Sequence, residues 1–517
     1  MARDSVPLES SHLLTIVLGQ VVICTVQVPP PFFEWPADEI RRVGRRVVDL
    51  VADHITRLRD RPVFQPVPPQ LAQELLGDGV PQQGQSADAI LDRFASEIGA
   101  YPFGNGHPRF YGWVNSPPAV IAVLTDALAA AMNPSVAGGN HAAVWIERQV
   151  IGWFKQIVGF PNDSMGLLVS GASAAAVTAL SVARHSACAK RGWDVRADGL
   201  QSGTGGTLPR LRIYKGAESH GCHQKAVELL GLGASSIRVV PSSGALEMRA
   251  EALDAMLRED VARGDTPMAV IASAGTVNTG VIDPLAAIAD VCERHDVWLH
   301  VDAAYGGPAL LTQEYEAPLG PMGRADSIAI DPHKWMYVPV DAGIVLVRDA
   351  AAMRNTFSLV PPYLRTDGNA EGVQGPPWFS EFGMEQTRPF RALKVWSAIR
   401  YFGIAGYRNL IEHDIAVSRH LAKRIRNDDT LELWEPQNLS VVCFRVVPKS
   451  LASEPQPLDT LNKRILESLQ LAGEVFLSST TLAGRFYLRA CIVNPRSTEA
   501  DVDRLLEEVR SAATRFA

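Results

Sequence analysis

Between residues 119 and 344, short apolar runs alternate with stretches whose apolar side chains recur every three or four positions. "GLLVS" (166–170), "LRIYK" (211–215), "SIRVVP" (236–241), "MAVIASAG" (268–275), "VWLHVDAA" (297–304), "SIAID" (327–331) and "GIVLV" (343–347) have the length and content of strands. Helical periodicity covers 174–189 and 285–295 between them. Near-continuous apolar strands separated by helices predict an α/β fold whose mostly parallel sheet is covered on both faces.

The flanks read differently. "ADEIRRVGRRVVDLVADHITRLRD" (37–60) predicts an amphipathic helix with an arginine-rich solvated face, and a second helix is expected over 89–98. "PPPFFEWP" (29–36) has the stiffness of a linker, and "HPRFYGWVNSPPAV" (107–120) the aromatic, irregular content of a pocket-forming loop. "VRADGLQSGTGGTLP" (195–209) reads as a surface insertion. After 391 a long helical stretch leads to a smaller α/β portion with strands at 440–446 and 486–490. The expected organisation is an N-terminal extension (1–33), a helical segment (34–118), a large domain (119–400) and a small C-terminal domain (401–517).

Composition narrows the class. A chain of 517 residues with 47% hydrophobic and 20% charged content is an ordinary globular protein too long for one core. A net charge of −7 without a basic run predicts no nucleic-acid partner. The apolar stretch 13–28 is shorter than the ~20 residues of a spanning helix. It lacks a basic flank and a small-residue cleavage site, so no membrane span or leader is expected. Six scattered cysteines with no CxxC pair point to reduced thiols and a cytoplasmic location, with no metal site.

Ligands of such sheets bind at the carboxyl ends of the strands, where four features gather. The strand at 166–170 turns through Gly171, Ala172 and Ser173 into a helix, whose free amides make an anion site; alone, Ser173 is an ordinary cap. Asp302 ends one apolar run, His220 follows another, and His333-Lys334 lies between two more. Singly, each has a structural reading. Together they are what pyridoxal phosphate requires: a lysine for its aldehyde, a carboxylate for its pyridine nitrogen, a phosphate cradle and a flat group for its ring.

"DPHKW" (331–335) spaced after "WLHVDAAYGG" (298–307), with "RPFRALKVW" (388–396) and "LRACIVNPRST" (488–498), resembles the group II pyridoxal-phosphate-dependent amino acid decarboxylases, especially the aromatic L-amino acid decarboxylases. The resemblance runs from about residue 35 to the C-terminus. It implies a fold-type I, aspartate-aminotransferase-like enzyme that decarboxylates an L-amino acid of aromatic type, as a homodimer with sites at the interface and the 34–118 segment packed on the partner. Carried over, Lys334 holds the cofactor, with a depressed amine pKa expected to aid it. Asp302 pairs with the ring nitrogen, and His220 and Ala304 face the ring. Ala172, Ser173, Asp331 and His333 match phosphate positions, and Thr276 matches a pocket threonine. Trp113, Val114 and Asn115 match the side-chain pocket, and Asn140 and His141 a loop lining the partner's pocket.

The family's catalytic loop carries a tyrosine that returns a proton to the substrate. Counted back from "RPFRALKVW", that position is Phe379. In some relatives phenylalanine here accompanies aldehyde synthase activity, with O2 consumed and aldehyde, ammonia, CO2 and peroxide formed. Decarboxylation to the amine, with His220 or His333 as proton source, leads over this alternative. A cysteine-desulfurase-like lyase is a third reading, disfavoured because Cys443 and Cys491 sit in apolar strand patterns where a thiol is inert.

Overall fold

The computed structural model describes 33–200, 208–359, 372–451 and 453–516, and the backbone of 13–17 and 20–24. The proline-rich linker and the 195–209 insertion fall partly outside these residues. Two compact units result, 1–57 with 68–100, and 58–67 with 101–517.

In the first unit, β1 (Leu13–Val17) and β2 (Gln20–Cys24) pair antiparallel. The amphipathic pattern after the linker forms the helix Ala37–Thr56, tied by Arg42 and Arg46 to Asp88 in the first turn of a short helix, Ala87–Arg93. Residues 58–67 and 101–118, expected with this segment, belong to the second unit. There Val63 and Phe110 pack with Phe476, and the Tyr111 amide donates to the Phe476 carbonyl (2.8 Å).

The second unit is built on a seven-stranded sheet: β3 (Met165–Val169), β4 (Leu211–Gly216), β5 (Ile237–Val240), β6 (Thr266–Ser273), β7 (Trp298–Asp302), β8 (Ser327–Ile330) and β9 (Gly343–Val347). Its order is β3-β9-β8-β7-β6-β4-β5. β9 alone runs against its neighbours; the other pairs are parallel. Burial on both faces explains the unbroken apolar runs: β3, β8 and β9 are buried along their whole length. The helix Ala172–Ala189 lies on the sheet through Ala175, Ala176, Ala179 and Ala183, small residues that admit close approach.

The boundary expected at 400 falls inside a helical run, Ala392–Arg426, which Gly403 (φ 62°) breaks in two. Its second half packs Val417, Leu421 and Ile425 on a four-stranded antiparallel sheet ordered β10-β11-β13-β12. These strands are β10 (Leu431–Leu433), β11 (Val441–Val446), β12 (Ser478–Leu482) and β13 (Arg485–Cys491). Helices Pro455–Ala472 and Glu499–Phe516 complete this layer. Among the described residues no helix is long and apolar enough to cross a membrane.

Candidate active site

At the carboxyl ends of the parallel strands lies a cavity of about 210 Å³. β7 delivers Asp302 and then Ala304 and Tyr305 to its wall; the turn after β8 delivers Lys334; the segment after β4 delivers Glu218 and His220. Ser273 and Thr276 come from the end of β6, and Trp113, Val114 and Asn115 from the irregular loop. A larger cleft, about 880 Å³, opens at the other end of the sheet, around the starts of β6 and β7. Its charged groups pair with one another, as in Lys190–Asp296 and Arg324–Glu293.

The lysine turn is fixed from several sides. Trp335 and Tyr337 both donate to buried Asp414 (2.9 and 2.8 Å), and the Ser116 hydroxyl donates to the Lys334 carbonyl. Lys334 Nζ lies 3.0 Å from Asp331 Oδ2. Burial lowers the amine's pKa, but Asp331 and Asp302 outweigh it and the net shift is upward. The depressed pKa expected from the sequence is thus reversed, because two carboxylates stabilise the ammonium.

Asp302 is held ionised. Burial opposes this, while His223, Lys334 and the Ala304 amide (3.1 Å) lower its pKa. His220 Nδ1 accepts the Cys222 amide (3.2 Å), so the neutral ring carries its hydrogen on Nε2; burial holds its pKa down. His333 is arranged alike, its Nδ1 accepting the Ala342 amide (3.0 Å), with burial lowering its pKa.

The helix Ala172–Ala189 begins at Gly171 with no side-chain cap, leaving its first amides for an anion. Gly171 is close to His333 and Asp331, and a Cβ on Gly343 would come 2.4 Å from the Gly171 Cα. Asp331 Oδ1 is buried with no hydrogen-bond partner. An uncapped helix start, a lysine amine, an ionised carboxylate and an imidazole at one set of strand ends are a donor set that fits pyridoxal phosphate. Lys334, Asp302 and His220 would hold its reactive part, and Ala172, Ser173 and His333 its phosphate.

Phe379 is placed elsewhere. It is fully buried between the guanidiniums of Arg148 (5.1 Å) and Arg388 (5.0 Å), and Arg388 donates to Glu147 Oε1 and the Leu168 and Val136 carbonyls. It has no surface to offer any pocket, so it is a packing residue and not the loop position the sequence count assigned. Tyr363, the one tyrosine between Tyr337 and Tyr401, lies outside the described residues. Asn140 and His141 also lie outside this cavity, on a loop where the Trp145 indole donates to Asn140 (2.9 Å).

Glu218, Ser273, Val277 and Tyr305 line the cavity without having been signalled by the sequence. Glu218 accepts from the Asn278 amide (2.9 Å), and Tyr305 stacks on Trp335 (5.2 Å). Only the position of Glu218, two residues before His220, offered a clue. Arg489 fixes the cavity rim, donating to the Trp113 carbonyl (3.1 Å), the Asn278 carbonyl (3.0 Å) and the Val277 carbonyl.

Fold and cavity together define an α/β enzyme built around pyridoxal phosphate. The model of the pyridoxal-dependent decarboxylase conserved domain matches residues 68–447. An aromatic-L-amino-acid decarboxylase of Bacillus atrophaeus is 32% identical over 479 residues, 92% of this chain and 96% of that one. A phenylacetaldehyde synthase of Petunia hybrida is 28% identical over 92% of this chain and 94% of its own. The crystal structure of Oryza sativa TDC with PLP and tryptamine superposes with a TM-score of 0.85 at 27% identity, over 94% of this chain and 99% of that one. The chain belongs to the pyridoxal-dependent decarboxylases. It is a fold-type I carboxy-lyase acting on an amino acid, and its cofactor is pyridoxal 5′-phosphate.

Proposed function

We propose that this enzyme converts an aromatic L-amino acid of the tryptophan, tyrosine, phenylalanine or DOPA type to its amine and CO2. One observation carries the reading: Lys334, Asp302, His220 and Trp113 line the same cavity. Trp113 stands among Phe103, Phe110 and Phe476, with ring centroids 5.4 to 6.3 Å away, an aromatic wall for an aromatic side chain. The relatives named above as aromatic-amino-acid decarboxylase and TDC support the same substrate class.

Bound pyridoxal phosphate supplies the conjugated ring that takes up the electron pair left when CO2 departs. The chain's own groups do the rest. The Lys334 ammonium must shed a proton before it bonds covalently, and Asp331 Oδ2 at 3.0 Å is the acceptor in place. Ionised Asp302 holds positive charge on the ring nitrogen. His220 and Ala304 confine the ring, and His220 keeps a proton on Nε2 for the substrate. Ala172, Ser173, Asp331, His333 and Thr276 complete the cofactor's surroundings, and Trp113, Val114 and Asn115 select the side chain.

The working unit is a homodimer in the cytoplasm, with Asn140 and His141 lining the partner's pocket. Support comes from the helix Val120–Met132, whose Val120, Leu124, Leu128 and Met132 form one exposed apolar stripe. The described cysteines are all unpaired thiols. The amine is favoured as product by the decarboxylase relatives, and Phe379, sealed in the core, gives no support to the aldehyde alternative. The test is to incubate purified enzyme with the four amino acids under air while following amine, ammonia and peroxide. Amine without peroxide is expected, and Lys334→Ala should lose turnover and the cofactor's visible absorbance. Turnover of none of the four would overturn the substrate class; stoichiometric peroxide would overturn the amine as product.

A further inference from the structure

Behind Asp302 lies an imidazole that the reaction scheme above leaves unused. His223, buried in the helix Cys222–Leu229, places Nε2 3.6 Å from Asp302 Oδ2. Its Nδ1 has two oxygens in reach, the Ser219 hydroxyl at 3.1 Å and the His220 carbonyl at 3.0 Å. These neighbours are chemically unlike. A carbonyl only accepts, so bonding to it requires the hydrogen on Nδ1 and turns a bare Nε2 lone pair toward a carboxylate. A hydroxyl also donates, so bonding to it frees Nδ1 of hydrogen and puts the hydrogen on Nε2, facing Asp302. With Asp302 ionised, only the second tautomer brings unlike charges together.

We propose that His223 is a positioning residue for the reaction. The Ser219 hydroxyl donates to its Nδ1, and its Nε2–H is thereby directed onto Asp302, holding that carboxylate oriented and ionised for the cofactor's ring nitrogen. The inference rests on the role given to Asp302 above. No net proton moves: one hydrogen stays on Ser219 Oγ and one on His223 Nε2. Burial keeps the His223 ring neutral, as this arrangement requires. The groups facing it are Asp302, His220, Lys215 on the end of β4, and His300, whose ring meets it edge-on at 5.7 Å. His300 is itself held neutral by burial and bonded through Nδ1 to Ser327 (2.9 Å). Cys222, His223 and Asp302 set ligand-type atoms within 4.8 Å of one another, but a carboxylate committed to the ring nitrogen leaves no reason to assign them an ion.

The tautomer is read directly in the full-length protein labelled with 15N-histidine: His223 should show protonated Nε2 and bare Nδ1, and Ser219→Ala should shift it toward protonated Nδ1. Reconstitution of the apoprotein with pyridoxal phosphate supplies a second readout. The N–H that faces the Asp302 carboxylate at 3.6 Å is lost in His223→Leu, so the cofactor's Kd should rise roughly three- to tenfold, and His223→Gln, which keeps an N–H donor, should restore most of it. Protonated Nδ1 in the wild-type protein would overturn the proposal even if His223→Leu failed to fold. So would a wild-type Kd in His223→Leu while Asp302→Asn binds weakly. If Asp302→Asn also kept wild-type affinity, the role given to Asp302 would fall instead.

Discussion

Phe379 has no exposed surface and two guanidiniums against its faces, so a hydroxyl added to its ring would enter a sealed, closely packed environment. Phe379→Tyr is therefore expected to cost about 1–3 kcal/mol of stability without changing the ratio of amine to aldehyde, as chemical denaturation and product analysis would show. A change in product ratio would return a catalytic role to this position. The misassignment has a physical origin: counting residues back from a fixed motif assumes constant spacing, and loops are where spacing varies. Lys334 and Asp302 were legible because one lies between two apolar runs and the other ends one, where a polar residue demands an explanation, and His220 because it follows a strand on the same side of the sheet. Glu218 and Tyr305 were not, since they reach the cavity only through the path of the chain after β4 and β7.

At the scale of elements, the seven central strands could be read directly because burial on both faces forces continuous apolar sequence. β10 and β12 escaped for the opposite reason: one is three half-buried residues, and the other, "SSTTL", buries only its ends. The contact between the start of β9 and the turn before the helix Ala172–Ala189 depends on Gly343 lacking a side chain. Gly343→Ala forces backbone to move at the anion site. It should cost about 1–3 kcal/mol and weaken cofactor binding, measured by thermal melts of apo and loaded protein. The helix that follows Gly403 supplies Asp414 to the lysine turn, and burial pushes that carboxyl up to about 8. The native state then keeps a proton that the unfolded chain gives up in the ordinary carboxylate range. This contribution is full in acid and is lost as pH rises toward 8. Asp414→Asn keeps an acceptor for Trp335 and Tyr337, so its urea midpoint should fall less than wild type between about pH 5 and pH 8. Parallel declines would show that Asp414 is ionised in the native protein.

At the scale of the whole molecule, the helix Val120–Met132 turns Val120, Leu124, Leu128 and Met132 to solvent, and the helix Ala37–Thr56 turns Ile40, Val47 and Val48, the apolar surface that a second copy would cover in the proposed dimer. Sedimentation of the wild type should show a dimer. Leu128→Asp combined with Met132→Asp should shift it to monomer and cut activity more than tenfold, whereas an active monomer would remove the partner from the site.

The reversed strand β9 has a consequence for biosynthesis. β3 forms early in the chain, yet the edge it pairs with is β9, which begins only at Gly343. Until the ribosome has released that stretch, the strand feeding the phosphate cradle has both edges unpaired, and β8, which leads to Lys334, lacks its neighbour on that side. Capture of the vitamin-derived group is thereby deferred until about two thirds of the polypeptide has been made, and a product truncated before Gly343 would expose β3 as a site for aggregation.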